Sequence, residues 1–257
     1  MNATLTVLGS GTSVGVPTIG CDCAVCTSTD PRDRRTRPSI LVEYSGRTVL
    51  IDTTPDFREQ AIREHIRHLD AVLYTHPHAD HLLGIDDLRP LSYRHRPGKL
   101  PLYARPEAAA FIRNMFGYIF APAYKFGGLP QLELIEISGP VELFGITFEP
   151  ITVLHGETEI FGFRFGSAAY LTDHSQIPEG SMARLQNLDI LFLDALRHQP
   201  HPTHSTVENS LRIVETLRPR RAFFTHICHD LPHEATNALL PENVRLSYDG
   251  MKLNFEI

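Results

Sequence analysis

The chain has 257 residues, of which 42% are hydrophobic and 21% charged, a composition typical of a globular protein built around one core. Its formal net charge of −6 argues against a general nucleic-acid-binding protein, because such proteins usually carry a basic surface. No apolar run is long enough to span a membrane, and the N-terminus lacks the pattern of a signal peptide. We therefore expect a single domain over residues 1–257, in a cytoplasmic protein without membrane contact.

Three cysteines lie close together near the N-terminus, after a first strand predicted at residues 3–8. They are Cys21, Cys23 and Cys26. Thiols this close in a reducing compartment are more typical of zinc ligands than of disulfides, although a cluster of free thiols is the alternative. A tetrahedral site needs a fourth ligand, and both Cys228 and His229 qualify. The pattern thus predicts a structural zinc that clamps the loop around 20–30 to the last strands.

A basic segment at 30–39 separates the cysteines from a predicted β-hairpin with strands at 40–44 and 47–51. Its arginines belong either to a solvated loop or to a site that holds a phosphate, since a guanidinium group matches phosphate oxygens. The sequence does not choose between these two interpretations. The hairpin ends at Asp52, and the next predicted element is a helix over 57–68.

A dense group of imidazole and carboxylate side chains follows the buried strand predicted at 71–74. It consists of His76, His78, Asp80 and His81. Neutral imidazole and carboxylate groups are typical ligands of zinc, manganese or iron. A polar loop that is merely rich in histidine is the alternative. The spacing, the residue types and the preceding strand together favour a metal site.

Strands and helices alternate through the rest of the chain. A helix predicted from 106 to about 118 begins with Pro and Glu in its first turn. It runs into an aromatic segment at 116–126, which belongs either to a satellite core or to a lid or subunit contact. Apolar periodicity predicts another helix at 205–217. The remaining predicted strands are 100–103, 132–137, 141–148, 151–154, 161–165, 169–172, 190–193 and 222–224.

The histidine-rich pattern resembles the signature of the metallo-β-lactamase superfamily. The resemblance implies a four-layer αββα sandwich of the α/β class, with two divalent metal ions at one edge. His76 and His78 would bind the first ion, and Asp80 and His81 the second. The superfamily also requires a later histidine, an aspartate that bridges both ions and a final histidine, each after a strand. The residues that meet these requirements in order are His155, Asp173 and His226.

The resemblance also implies two supporting residues. An aspartate at the position of Asp52 would lie beneath the ligands and orient them. The alternative is that Asp52 caps the following helix, although Asp56 is the better capping candidate. Phosphodiesterases of the superfamily use an additional histidine before a late helix to contact the scissile phosphate or protonate the leaving group. We choose His204 for this role, with His201 as second candidate and a capping or surface histidine as the alternative.

The start of the chain narrows the resemblance. The glycine-rich run at 9–17, the cysteine motif at 20–26 and the Asp-Pro-Arg at 30–32 resemble the phosphoribosyl 1,2-cyclic phosphate phosphodiesterases of carbon–phosphorus lyase phosphonate metabolism. This likeness implies hydrolysis of a small cyclic phosphodiester by a hydroxide that two Zn or Mn ions hold, with Asp80 or His204 protonating the departing oxygen. It also implies a homodimer. The implied structural zinc ligands are Cys21, Cys23, Cys26 and His229.

Three other functions remain open from the sequence. A tRNA 3′-end nuclease would need an RNA-docking arm, and no glycine-rich basic insertion of that kind lies between the ligands. The pyrroloquinoline quinone biosynthesis protein B shares the glycine-rich opening and the cysteine cluster, but an incomplete ligand set would have favoured that non-hydrolytic role. A lactone or ester hydrolase would be distinguished by its substrates. The complete ligand set favours a hydrolase.

Overall fold

Two seven-stranded sheets form the centre of the protein in a computed structural model, which describes residues 1–120 and 128–257. The first sheet has the order β14-β1-β2-β3-β4-β5-β6. Its strands are β1 (Asn2–Gly9), β2 (Ser39–Tyr44), β3 (Arg47–Ile51), β4 (Ala71–Leu73), β5 (Leu100–Ala104), β6 (Leu132–Glu136) and β14 (Lys252–Glu256). The second sheet has the order β13-β12-β11-β10-β9-β8-β7. Its strands are β7 (Val141–Leu143), β8 (Ile146–His155), β9 (Thr158–Phe165), β10 (Ala168–Leu171), β11 (Ile190–Asp194), β12 (Arg221–Thr225) and β13 (Val244–Leu246).

Helices flank the two sheets, which completes the predicted four-layer αββα sandwich. They are α1 (Phe57–Arg63), α2 (Ala79–Leu82), α3 (Arg89–Ser92), α4 (Pro106–Met115), α5 (Gly117–Phe120), α6 (Glu179–Ala183), α7 (Val207–Leu217) and α8 (His233–Asn237), with 3₁₀ turns at Pro31–Asp33 and Leu83–Leu88. Within residues 1–120 and 128–257, every helix is too short or too polar to cross a lipid bilayer.

Strand alternation explains why the central strands are apolar on both faces. In β11, Ile190 and Phe192 point into the core between the two sheets, whereas Leu191 and Leu193 pack against the outer helices. Side chains of a strand alternate between the two faces of a sheet, so a strand covered on both sides must be apolar throughout. The same alternation occurs in β2, where Ile40 lies between the sheets and Leu41 lies under the outer layer.

Parallel pairing determines where the polar side chains gather. Strands β3 to β6 are parallel to one another, as are β10 to β13. Because parallel strands end at the same edge of a sheet, residues that follow β4, β10, β11 and β12 emerge side by side. The sequence-predicted metal ligands are among these residues.

Three predicted elements have different bounds in the structure. The helix predicted over 57–68 ends at Arg63, and His65 then adopts a positive φ of 56°. The strand predicted at 141–148 is broken by a turn at Phe144, where φ is 52°. The helix predicted to about 118 ends at Met115, and a separate short helix follows it. In each case a local turn ends an element that apolar periodicity alone would have continued.

The basic segment does not form a uniformly solvated loop. Arg35 is fully buried and donates hydrogen bonds to the carbonyl oxygens of Cys228 (2.9 Å) and Leu231 (2.7 Å). It also forms an ion pair with Asp33 at 2.9 Å. Burial lowers the pKa of Arg35, and the nearby carboxylates oppose this shift. Arg35 thus ties the N-terminal loop to the segment after β12.

The aromatic segment 116–126 is only partly described. Phe116 is buried in the main core between the first sheet and its outer helices, and not in a separate satellite core. Tyr118 is exposed and donates a hydrogen bond to Asp86 at 2.6 Å. Tyr124 and Phe126 lie outside the described residues, so the lid or subunit contact at that end stays a prediction.

Candidate metal centre

Three histidines form the first cluster of candidate ligands, at the common edge of the two sheets. One ring nitrogen from each of His76, His78 and His155 lies within 4.8 Å of the others. His76 and His78 follow β4, and His155 is the last residue of β8 in the other sheet. His76 and His155 are buried, whereas His78 is exposed. The cluster is therefore anchored in the protein and open to solvent on the His78 side.

Two carboxylates and two imidazoles form the second cluster, and all four side chains are buried. Its members are Asp80, His81, Asp173 and His226. The Nε2 atom of His81 lies 3.1 Å from Asp173 Oδ1 and 3.3 Å from Asp80 Oδ2. The Nε2 atom of His226 lies 3.3 Å from Asp173 Oδ2 and 3.4 Å from Asp80 Oδ2. Short helix α2 makes this possible, because Asp80 and His81 lie in its first turn.

Asp173 lies between the two clusters. Its Oδ2 atom is 3.8 Å from Nε2 of His76, and its carboxylate also contacts both imidazoles of the second cluster. This is the position that the sequence analysis gave to a bridging aspartate. The ligand role of these side chains stays a prediction, but the fold brings all seven candidates together.

The protonation chemistry of the clusters fits divalent cations. The Nε2 atoms of His76 and His81 are buried and have no hydrogen-bond partner among the described residues, which is costly unless a cation binds them. Burial lowers the pKa values of His76 and His155, so both rings stay neutral, the form that binds metal. Burial also lowers the pKa of His226, but Asp173 and Asp80 outweigh it and raise the pKa to about 9. The second cluster therefore stabilises positive charge.

Three residues at these clusters have a strained backbone conformation. Asp52, Asp173 and His226 have positive φ values of 66°, 55° and 58°. The left-handed conformation costs about 1–2 kcal/mol for residues with a Cβ atom. Such strain persists only where the surrounding structure enforces it, and it is common at functional sites. Here it accompanies residues that leave the ends of three different strands.

Asp52 contacts a candidate ligand and does not cap a helix. Its Oδ2 atom lies 2.7 Å from Nδ1 of His81, and it accepts hydrogen bonds from the Thr75 amide (2.9 Å) and hydroxyl (2.8 Å). This arrangement fixes the Nδ1 side of His81 and leaves Nε2 free to bind a metal. Asp56 is the residue that precedes α1, and its carboxylate binds Arg37 instead of the helix amides. The orienting role of Asp52 stays a prediction that this geometry favours.

His204 lies next to both clusters and has a partner that the sequence analysis missed. Its Nδ1 atom is 2.7 Å from Oδ2 of Asp194, and its ring stacks on His226 with centroids 4.5 Å apart. The ring of His155 is 4.7 Å away on the other side. His201, the second candidate, lies farther out, 5.0 Å from His204. Asp194 could have been found, because it ends an apolar strand between the strands that precede Asp173 and His226.

The three N-terminal cysteines meet one histidine from the end of the chain. The Nδ1 atom of His229 lies 3.2, 3.5 and 3.4 Å from the sulfur atoms of Cys21, Cys23 and Cys26. Cys228 points elsewhere, since its sulfur lies 3.0 Å from Asp230, and burial raises its pKa to about 12. The geometry therefore favours His229 over Cys228 as the fourth ligand.

The electrostatics of the cysteine cluster suit a thiolate ligand. The Cys26 amide donates to the sulfur of Cys23 and lowers the pKa of that thiol to about 6. Backbone contacts also join this region to the metal centre, because the Thr12 amide donates to the carbonyl of Ile227 at 3.1 Å. Three thiols and one imidazole are a typical donor set for structural zinc. His229 of this cluster comes only three residues after His226 in the chain.

Comparison with known protein families assigns the chain to a superfamily. A family described as "Beta-lactamase superfamily domain" matches residues 47–227. The chain belongs to the β-lactamase superfamily. Within this superfamily, the chain is 59% identical to a solved structure described as a new diphosphatase from the PhnP family, with a TM-score of 0.94 and coverage of 99% of this chain and 98% of that one. This match places the chain in the PhnP-type branch and confirms the predicted resemblance.

A more distant superfamily structure shares the fold alone. Zn²⁺-bound PqqB from Methylobacterium extorquens is 20% identical, with a TM-score of 0.81 and coverage of 97% of this chain and 99% of that one. Among curated relatives, the coenzyme PQQ synthesis protein B of Methylorubrum populi is 30% identical over 221 residues, which is 73% of this chain and 71% of that protein.

Two other curated relatives are longer proteins. An octanoyltransferase of Porphyromonas gingivalis is 38% identical over 251 residues, covering 96% of this chain but 50% of that protein. A ribonuclease Z of Bradyrhizobium diazoefficiens is 31% identical over 147 residues, covering 54% of this chain and 47% of that protein. The chain spans about half the length of these relatives. Their names describe proteins of which it matches only a part.

Proposed function

We propose that this chain is a dimetal-dependent phosphodiesterase that hydrolyses small cyclic phosphodiesters such as phosphoribosyl 1,2-cyclic phosphate. The observation that carries the proposal is the complete set of seven candidate ligands, with Asp173 between the two clusters and His204 beside both. The likeness to a PhnP-family diphosphatase supports it. We further propose a cytoplasmic homodimer that makes no membrane contact and binds no nucleic acid.

The two clusters would each hold one divalent ion, either Zn or Mn. Bound there, such ions lower the pKa of water to about 7 and neutralise charge on the phosphoryl oxygens. The first cluster offers three neutral imidazoles, and the second offers two carboxylates and two imidazoles. Asp52 holds His81 in the orientation that presents Nε2 to this second cluster. The protein itself thus supplies a fixed set of metal-binding atoms at the common edge of the two sheets.

His204 is the residue best placed to protonate the leaving oxygen. When water attacks phosphorus, the bond from phosphorus to the departing oxygen breaks, and that oxygen needs a proton. One nitrogen of His204 is held by Asp194, so the other remains available, and the ring lies between one histidine of each cluster. Asp80, the other candidate, has its carboxylate engaged with His81 and His226. Asp194 orients His204 through this contact of 2.7 Å.

Replacing Asp194 with asparagine tests the proposed role of the Asp194–His204 pair in proton transfer. We expect kcat for a diester with an alkyl leaving group to fall about 10²-fold, because His204 loses its orienting carboxylate. The loss should be much smaller for a p-nitrophenyl diester, since p-nitrophenolate departs without a proton. Steady-state kinetics on both substrates, with bound metal quantified, would measure the difference.

A matched control is available on the adjacent helix. Glu208→Gln removes the carboxylate that pairs with surface residue His198, and it should leave both rates unchanged. Equal losses on the alkyl and p-nitrophenyl diesters in Asp194→Asn would show that Asp194 supports the fold of the site and not proton transfer.

Hydrolysis of a diphosphate is the second candidate. The specific observation in its favour is the description of the 59% identical structure as a diphosphatase. A phosphoanhydride and a phosphodiester place the same kind of tetrahedral phosphorus between the two clusters. The nuclease fits less well, because the ribonuclease Z match covers only 54% of this chain. A role like that of PQQ synthesis protein B also fits less well, since the ligand set is complete.

A substrate panel tests the proposed function directly. Protein reconstituted with Zn or Mn would be assayed on bis-p-nitrophenyl phosphate, a nucleoside diphosphate ester, a lactone and a β-lactam. We expect turnover of the phosphorus substrates and none of the other two. If both candidate ions are bound and no phosphorus substrate is cleaved, the phosphodiesterase proposal is wrong. Preferential turnover of the lactone would instead indicate that the protein is an ester hydrolase.

A further inference from the structure

A buried chain of hydrogen bonds runs from Asp52 through Thr75 to His76. Thr75 is 1% exposed and directly precedes the histidine-rich pattern. Its hydroxyl oxygen lies 2.8 Å from Oδ2 of Asp52 and 3.0 Å from Nδ1 of His76. The same Oδ2 atom lies 2.7 Å from Nδ1 of His81. Asp52 therefore contacts a candidate ligand of the second cluster directly, and it reaches one of the first cluster through a single hydroxyl.

The donors and acceptors of this chain fit together in one arrangement. A carboxylate only accepts hydrogen bonds, and a hydroxyl has one proton to donate. The proton of Thr75 lies toward Asp52, so its hydroxyl can only accept from His76. Nδ1 of His76 must then carry the ring proton, which leaves Nε2 with a free lone pair. That Nε2 atom has no hydrogen-bond partner among the described residues, and it lies 3.8 Å from Oδ2 of Asp173, the residue between the clusters.

The backbone of Thr75 is held in place without the hydroxyl. The Thr75 amide donates to Oδ1 of Asp52 at 2.9 Å, and the Thr75 carbonyl accepts from the amide of Phe161 at 3.1 Å. Phe161 belongs to β9, so these two bonds fix Thr75 where the two sheets meet. Removal of the hydroxyl alone should therefore leave the backbone in place and change only the side-chain contacts.

We infer that Thr75 is a positioning residue that passes the orienting effect of Asp52 on to His76, so that one buried carboxylate orients ligands of both metal ions. The inference rests on the two-metal site of the proposed function. The hydroxyl also lies 3.5 Å from Nδ1 of His81, but that nitrogen has the shorter contact with Asp52. Both clusters thus depend on Asp52, and the first depends on Thr75 as well.

Thr75→Val tests the inference, because valine has nearly the same shape and no hydroxyl. In titrations with chelator-buffered Zn²⁺, we expect the dissociation constant of one ion to rise about tenfold or more. The constant of the other ion should change less than about threefold. The reason is that Nδ1 of His76 loses its acceptor, whereas Asp52 still holds His81.

Two further variants serve as controls. Thr75→Ser restores the hydroxyl and should return both dissociation constants to within about twofold of the wild type. Thr48→Val is the matched control. Thr48 is a buried threonine of the same sheet, and its hydroxyl lies 3.1 Å from Nε2 of His68, away from both clusters. Its replacement should change neither constant.

Asp52→Asn should reverse the whole chain. Asparagine tolerates the positive φ of 66° at this position. Its oxygen can still accept from the Thr75 amide, which places the NH₂ group where Oδ2 was. An NH₂ group donates, so the Thr75 hydroxyl would donate to His76, and His76 and His81 would both carry their proton on Nε2. We expect both dissociation constants to rise about tenfold or more.

A double variant gives an outcome that a merely structural role does not predict. When Thr75→Val is added to Asp52→Asn, no hydroxyl donates to Nδ1 of His76, so its Nε2 atom is free to bind metal again. We expect the ion at the first cluster to bind about threefold or more tighter than in Asp52→Asn alone. Two independent structural defects would weaken binding further instead.

Imidazole NMR gives a measurement that does not depend on activity. In ¹⁵N-histidine-labelled protein stripped of the ions at the two clusters, His76 should carry its proton on Nδ1 in the wild type and in Thr75→Ser. In Asp52→Asn the proton should be on Nε2. Comparison with His76→Gln would assign the signal. A proton on Nε2 of His76 in the wild type overturns the inference.

The outcomes separate this inference from the proposed function. If Thr75→Val keeps both wild-type dissociation constants, or if the double variant binds the first ion less tightly than Asp52→Asn, the positioning role of Thr75 is wrong, whether or not diesters are cleaved. If the constants change as expected and metal-loaded wild type cleaves no phosphorus substrate, the role of Thr75 stands and the proposed function fails.

Discussion

Replacing Asp80 with alanine should lower kcat/KM for bis-p-nitrophenyl phosphate about 10³-fold or more, which is the largest loss of activity that we expect. Asp80 supplies one of two carboxylates in a cluster that is otherwise imidazole, and it lies 3.3 Å from His81 and 3.4 Å from His226. Without it the cluster has three donors and less negative charge. A divalent ion would then bind weakly, and charge developing on the phosphoryl oxygens would lack a partner.

The measurement combines kinetics with metal analysis. Asp80→Ala should retain the structural zinc and lose one equivalent of the other metal. Asp86→Ala, a carboxylate close by in the chain that pairs with Arg89 and Tyr118, is the matched control and should keep full activity and metal content. If Asp80→Ala loses one ion and still cleaves the diester at the wild-type rate, the second cluster is not part of the catalytic centre.

Replacing His229 with alanine should lower the free energy of unfolding by about 4 kcal/mol or more, the range reached when a protein loses a structural metal. His229 is the only imidazole among the four candidate zinc ligands, and its Nδ1 atom is within 3.5 Å of all three sulfur atoms. Removing it leaves three thiols, at least one of which has a pKa lowered to about 6 by the Cys26 amide. Without a cation the three thiols do not all ionise, since burial raises the pKa of Cys26 to about 11. Urea unfolding with zinc analysis would measure both effects.

Cys228 provides the comparison for His229. Its sulfur is buried but points to Asp230 instead of the cysteine cluster, so Cys228→Ala should retain zinc and cost about 1 kcal/mol or less. A result in which Cys228→Ala loses zinc and His229→Ala keeps it would make Cys228 the fourth ligand. Because the cluster adjoins Ile227 and His226, loss of zinc should also reduce phosphodiester hydrolysis.

The sequence predicted the strands and the local histidine-rich pattern from its residues, and the sandwich and the later candidate ligands from the family resemblance that this pattern carries. Apolar runs such as Ile190–Leu193 are typical of strands covered on both faces, and polar residues that follow such strands emerge at a sheet edge. The pattern His76 to His81 is local, since a strand end and the first turn of α2 place these side chains within six residues of chain. A metal site whose ligands are neighbours in the sequence can therefore be predicted from the sequence.

The tertiary structure decided what depends on distant residues. Asp194 becomes the partner of His204 because parallel strands bring their ends together. His229, and not the adjacent Cys228, meets the cysteines because the backbone after β12 turns one side chain toward the N-terminal loop and the other away. Arg105 pairs with its chain neighbour Glu107, and only the packing of the two sheets also brings Glu159 to within 2.9 Å of it. Which of several possible residues makes a contact depends on the direction of its side chain and on distances in space. Residue type and sequence spacing do not encode these quantities.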